Sequence, residues 1–214
     1  LNVSRIAAEL AADNEHKIAA ALGIVEASVD LQQLEQSLAA RRSTRVTPLM
    51  FEYELVQRAK AQQQHIVLPE GGEERILRAA EILALRGVAQ LTLLGNRDKV
   101  DQKIQALGLR LDEVALIDPQ KSALREQYAE SYYRLRRHKG ISREMAFDTL
   151  ADVSYFATMM VHHGQADGMV SGAVHTTQHT IRPAFEIIKT RPDSSIVSSV
   201  FLMCLEDRVL VYGD

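Results

Sequence analysis

His65-Ile66-Val67-Leu68-Pro69 is a short apolar run closed by proline, and Glu70-Gly71-Gly72 turns the chain directly after it. A run of this length and composition, ended by a residue that cannot donate to a ladder, reads as a strand. The apolar residues that follow, Ile76, Leu77, Ala80, Leu83 and Ala84, recur at the spacing of one helical face. Gly87 stands where the end of that helix requires positive φ. Leu91-Thr92-Leu93-Leu94 is then a second strand, ended by Gly95-Asn96. Strand alternating with helix predicts parallel strands joined by crossovers, an α/β fold built on a layered, mostly parallel sheet.

The pattern extends in both directions. Pro48 precedes a helix over 50–63. Downstream lie a weaker helix over 99–107 and a third strand over 114–117, ended by Asp118-Pro119. Two longer helical patterns over 122–138 and 143–163 are separated by Gly140. A strand over 167–170 is ended by Ser171-Gly172, and a helix over 183–189 carries proline in its first turn. The apolar runs 196–205 and 209–212 are joined by Glu206-Asp207-Arg208, short enough for a hairpin and an antiparallel edge. Upstream, residues 1–39 read as short helices with a turn at Gly23, Asp30 capping a helix that carries Leu31, Leu34 and Leu38. The basic stretch Ala39 to Arg45 reads as a linker, so the chain divides into 1–45 and 46–214. A first residue that is leucine, and a last strand flush with Asp214, lead us to expect a cut chain.

Of the 214 residues 46% are hydrophobic and 25% charged, ordinary for a globular protein. Twenty-five basic against 28 acidic residues give a net charge of −3, which argues against nucleic acid as a partner. No apolar run approaches the ~20 residues that span a bilayer, and no signal peptide opens the chain. The lone Cys204 cannot form an internal disulfide, which fits a reducing, cytoplasmic setting. Within its apolar run it reads as a buried structural thiol, with a catalytic thiol as the alternative.

Ligands of an open parallel sheet bind beyond the carboxyl ends of its strands. Among the turns there, Ser171-Gly172-Ala173-Val174-His175-Thr176-Thr177 combines small residues, hydroxyls and an imidazole, and Thr180-Ile181-Arg182-Pro183 follows. Small residues let backbone N–H groups approach an anion, a helix N-terminus adds its dipole, and Arg182 adds a permanently charged fork. The same residue types also make ordinary turns and caps. Tyr128, Tyr132 and Arg136 stand four apart on the helix over 122–138, which puts Arg136 at the edge of its apolar face. Arg136 is either an anion ligand or an arginine that packs its stem and reaches for water. Arg134, led by Glu126 and Glu130, belongs to a solvated outer row. His175 and His179 are four apart but lack nearby carboxylate or thiolate ligands in the sequence, and His162 and His163 are adjacent, so no metal site is expected. The phosphate loop of nucleotide hydrolases and the dinucleotide fingerprint are both absent.

Ile66 to Glu70, Arg134-Leu135-Arg136-Arg137-His138-Lys139-Gly140, Asp167 to Thr177, Thr180 to Pro183, Ile188-Lys189-Thr190 and Ser194 to Phe201 occur in an order and spacing that resemble the phosphate acetyltransferases. The resemblance covers about Val46 to Asp214, and residues 1–39 resemble the tail of the extra N-terminal region of long bacterial members. It implies a fold similar to isocitrate and isopropylmalate dehydrogenases, with a cleft between two α/β domains, of which this chain supplies much of the first. It implies transfer of acetyl directly between coenzyme A and phosphate, with acetyl-CoA, phosphate and acetyl phosphate as substrates and no further cofactor. By that resemblance Arg182 would hold phosphate or acetyl phosphate, Arg136 would contact the phosphate or the coenzyme, and Ser171, Gly172, His175 and Thr176 would line the cleft. The family's Tyr-Ser-Thr segment and its proposed aspartate base match nothing in this sequence, so the chain alone is expected to be inactive. A homo-oligomer is expected of the longer protein. Three alternatives remain at this point: a phosphate- or acyl-phosphate-binding module without catalysis, butyryl specificity, and an assembly piece whose terminal strands pair with another chain.

Overall fold

A computed structural model describes residues 46–194 and 196–213; the readings made for residues 1–45 lie outside the described residues. Within the unit Pro48–Asp214, helix α1 (Pro48–Ala61) leads into β1 (His65–Leu68). Then come α2 (Glu74–Arg86), β2 (Gln90–Leu94), α3 (Arg97–Leu107) and β3 (Ala115–Ile117). Helices α4 (Leu124–Arg136), α5 (Arg143–Thr149) and α6 (Val153–His162) precede β4 (Gly168–Met169). Helix α7 (Thr177–Ile187) and the pair β5 (Val200–Cys204) and β6 (Val209–Gly213) complete the described chain.

The predicted sheet is present: four parallel strands in the order β3-β2-β1-β4. Alternation along the strands feeds two cores. Leu68, Leu91 and Leu93 pack with Leu77 and Ala80 of α2 and Val100 of α3 on one face. Val67 and Leu94 point the other way, to Tyr128 and Tyr132 of α4 and Phe156, Met159 and Met160 of α6. Burying both faces explains why the strands read as near-continuous apolar runs rather than alternating ones. At the second core's centre Tyr128 meets Phe156 edge-on at 5.0 Å and donates to Gln165 Oε1.

Two local devices set the ends of β1 and α2. Gly71 N donates to Leu94 O at 3.0 Å. A Cβ at Gly71 would lie 2.7 Å from that same oxygen, so only glycine lets the turn after β1 press against β2. Gly87 closes α2 in the left-handed conformation, φ 62°.

The strand order carries the main functional consequence. From β1 the chain moves outward through β2 to β3, then returns to place β4 on the other side of β1. The order therefore reverses between β1 and β4, and the loops leaving these two neighbours diverge into a crevice at their carboxyl ends.

Four expectations are corrected. The helix over 143–163 is two helices, because Asp152 takes an extended conformation and accepts from Ser154 N and Tyr155 N, starting α6 afresh. Helix α7 begins at Thr177, six residues before Pro183, because Thr176 caps it by accepting from His179 N; Pro183 stands inside the helix, buried. The hairpin β5–β6 is antiparallel as expected but forms its own two-stranded sheet rather than an edge of the main one. Cys204 is exposed, not buried, because all five residues of β5 face solvent.

Candidate anion site at the sheet switch point

Glu70, the second residue after β1, turns its carboxylate into the loop that follows β4. Its Oε2 accepts from Gly172 N at 2.9 Å and Ala173 N at 2.8 Å; its Oε1 accepts from Val174 N at 2.8 Å and His175 N at 2.7 Å. The side chain is 1% exposed. Burial by itself raises its pKa, but the four N–H groups outweigh burial and hold the carboxyl at about 2, against an ordinary 4.5. The small residues of this loop do cradle an anion, as their composition suggests, but the anion is Glu70. This corrects the expectation that these amides face a phosphate: Gly172, at φ 120°, gives its N–H to Glu70. Ser171 touches Thr180, whose Oγ1 lies 3.5 Å from its Oγ.

With the loop tied to Glu70, the element that follows is fixed. Thr176 caps α7 with a 3.2 Å bond from His179 N; because α7 starts at Thr177, Arg182 stands in its second turn rather than at the helix N-terminus expected from the sequence. The His175 and His179 rings stack at 4.4 Å and 8°. His175 Nδ1 lies 3.4 Å from both Ser154 Oγ and Glu70 Oε1, and His179 Nε2 lies 2.9 Å from Asp152 Oδ2. The residue that caps α6 thus also holds the first turn of α7. Among the described residues no group of three or more His, Cys, Asp or Glu is placed to hold a metal ion.

Arg182 and Arg136 meet at one carboxylate. Arg182 Nε donates to Glu186 Oε1 at 2.9 Å, and Arg136 Nη2 lies 3.6 Å from the same oxygen. Tyr132 and Tyr155 donate to Oε2 at 2.8 and 3.1 Å. Burial raises the Glu186 pKa, but bonds from Arg182, Tyr132 and Tyr155 and the Arg136 charge pull it below its ordinary value, so it is an anion at neutral pH. Burial and then the Glu186 contact push both tyrosine hydroxyls upward, so they remain donors. The Nε of Arg136 is buried with no acceptor among the described residues. Arg182 is 64% exposed and borders a groove of about 300 Å³ lined by Tyr155, Thr176, Gln178 and His179 as well.

The residues singled out in the sequence therefore separate into two groups. Arg136 and Arg182, 46 positions apart on α4 and α7, come together through Glu186, and Thr176 shares the groove with Arg182. Gly172 and His175 give their N–H groups to Glu70, and Ser171 contacts Thr180. Two residues that organise the site were not singled out. Glu186 carried a readable signal, because it stands four residues after Arg182 on the same helix. Glu70 carried none, since its partners lie 102 to 105 positions away and are backbone groups.

Comparison with known proteins agrees with this architecture. The sequence profile of the family described as phosphate acetyl/butaryl transferase matches residues 50–214. The phosphate acetyltransferase of Nitratidesulfovibrio vulgaris is 55% identical over 202 residues, covering 94% of this chain and 29% of that protein. The phosphate acetyltransferase of Corynebacterium glutamicum is 47% identical over 165 residues, 77% of this chain and 50% of that one. The crystal structure of a phosphotransacetylase from Streptococcus pyogenes superposes with a TM-score of 0.72 at 36% identity, covering 78% of this chain and 51% of that one. EutD phosphotransacetylase from Staphylococcus aureus gives 0.68 at 38%, covering 74% and 49%. This chain spans between about a third and a half of these relatives. With a matched segment that includes every described strand, both arginines and the Glu70 cradle, the chain belongs to the phosphate acetyl/butaryl transferase family.

Proposed function

We propose that this chain supplies the phosphate-holding side of a phosphate acetyltransferase site, which interconverts acetyl-CoA plus phosphate with CoA plus acetyl phosphate. The observation that carries the reading is the convergence of Arg136 and Arg182 on Glu186 in the last turn of α7, with Arg182 bordering the groove. Two guanidinium groups against one carboxylate leave a net positive charge, and Arg182 is exposed enough to bind an incoming anion. In the direction of acetyl-CoA formation, the CoA thiolate sulfur forms a bond to the carbonyl carbon of acetyl phosphate, the carbon–oxygen bond to phosphate breaks, and phosphate leaves with the electron pair. Donors fixed where that charge develops contribute ~10²–10³ in rate each, and a single charge-assisted hydrogen bond ~1.5–3 kcal/mol. The acetyl rather than butyryl reading is supported by the relatives, which are named phosphate acetyltransferases.

The test is acetyl-CoA formation from acetyl phosphate and CoA by the protein that carries these residues, wild type against Arg182→Ala. A fall of at least 10²-fold in kcat/KM is expected, and unchanged turnover would overturn the assignment. The 214-residue chain on its own is expected to bind phosphate without turnover, because the Tyr-Ser-Thr segment that the family resemblance makes catalytic does not occur in this sequence. Phosphate binding without turnover in the longer protein as well would instead favour a regulatory module. We place the protein in the cytoplasm, where a free, exposed Cys204 persists; among the described residues no helix is long and apolar enough to cross a membrane. The oligomer reading is supported by the β5–β6 hairpin, which exposes Phe201, Val211 and Tyr212. Sedimentation of the longer protein as a monomer would remove it.

A further inference from the structure

We propose that Glu186 is the positioning residue of the anion site, holding Arg136 and Arg182 at one point so that a single phosphate can meet both. This rests on the reading above that the two arginines bind phosphate. Glu186 is 12% exposed and its two oxygens divide the work. Oε2 is anchored by the hydroxyls of Tyr132 on α4 and Tyr155 on α6, and Oε1 faces Arg182 and Arg136. The carboxylate is thereby fixed by two helices and offers its remaining oxygen to two cations that would otherwise repel each other.

The alternative role is a competitor: a carboxylate among arginines lowers their net charge and so weakens binding of any anion. The two roles give opposite signs for one substitution. Glu186→Gln keeps an oxygen for the tyrosines but turns an amide N–H₂ toward the arginines, and it makes the site more positive. As a competitor's removal, it would tighten phosphate binding. As a positioning residue's loss, it loosens binding despite the added charge, because both guanidinium groups lose their common acceptor.

Tyr132 allows a cleaner perturbation. It is 2% exposed, does not line the groove, and reaches the site through its hydroxyl on Glu186 and its ring, edge-on to Tyr155 at 5.5 Å; phenylalanine keeps the ring and removes the hydroxyl. Calorimetric titration of inorganic phosphate into wild type, Glu186→Gln and Tyr132→Phe, with thermal melting to confirm folding, decides the matter. Expected are a Kd at least 10-fold weaker for Glu186→Gln, about 3-fold weaker for Tyr132→Phe, and partial recovery in Glu186→Asp. Binding that is equal or tighter in Glu186→Gln overturns the positioning role. Should Glu186→Gln fail to fold, unchanged affinity in Tyr132→Phe overturns it instead. Absence of phosphate binding in the wild type would reject the anion-site reading itself, a result distinct from either.

Discussion

Replacing Glu70 by glutamine removes one charge and reverses half of a hydrogen-bonding arrangement. Four backbone N–H groups, from Gly172 to His175, converge on the two carboxylate oxygens at 2.7–2.9 Å. Glutamine offers one oxygen, so one pair of N–H groups then faces an N–H₂ that cannot accept. Losing two charge-assisted bonds costs ~1.5–3 kcal/mol each. Expressed through linkage, the same N–H groups hold the carboxyl at about 2 instead of 4.5, which contributes about 3 kcal/mol of folding free energy at neutral pH. We therefore expect Glu70→Gln to destabilise the fold by about 3–5 kcal/mol at pH 7, and to release the loop that sets the start of α7. The pH dependence has a definite sign. The folded-state pKa is depressed, so the contribution is complete above pH 4.5 and is lost as pH falls toward 2. About half of it has gone by pH 3 on the same linkage relation. Urea unfolding of both proteins at pH 7, 4.5 and 3 reads the difference: near its full value at the first two and clearly smaller at the third. A difference under about 1 kcal/mol at pH 7, or one that does not narrow by pH 3, would refute the cradle as the organiser of this loop.

Phe156→Ala empties the centre of the core under α4 and α6, where Phe156 is 0% exposed; a loss of about 3–5 kcal/mol in urea unfolding is expected. Thr176→Ala removes the α7 cap and should cost about 1 kcal/mol, together with weaker phosphate binding in calorimetry, since α7 carries Arg182. Lys189, at φ 66°, holds the left-handed conformation just past α7. Lys189→Gly should therefore raise stability by about 0.5–1 kcal/mol, measured as a higher midpoint in thermal unfolding.

The sheet was readable because its strands are apolar runs punctuated by Pro69, Gly95-Asn96 and Asp118-Pro119, and turn chemistry is local. The errors fell where a side chain acts on a neighbouring backbone. Asp152 and Thr176 each start a helix by accepting N–H groups, which apolar periodicity does not register, so one helix was read through its break and another was started too late. Cys204 looked buried because its run is apolar, yet burial depends on what packs against β5 rather than on the run itself. Of the site, both arginines were visible: Arg136 from its place after Tyr128 and Tyr132, Arg182 from the loop before it. Their meeting through Glu186 requires α4, α6 and α7 to pack together, a tertiary fact. The Glu70 cradle joins loops about a hundred residues apart and shows why a loop rich in small residues need not be open to a ligand.

Titration of inorganic phosphate into this chain, wild type against Arg182→Ala, tests the anion site most directly. The expected result is saturable one-to-one binding that weakens at least 10-fold on loss of the arginine, with stability changed by less than about 1 kcal/mol because Arg182 lies at the surface. Equal binding by the two proteins, or none by the wild type, would contradict it.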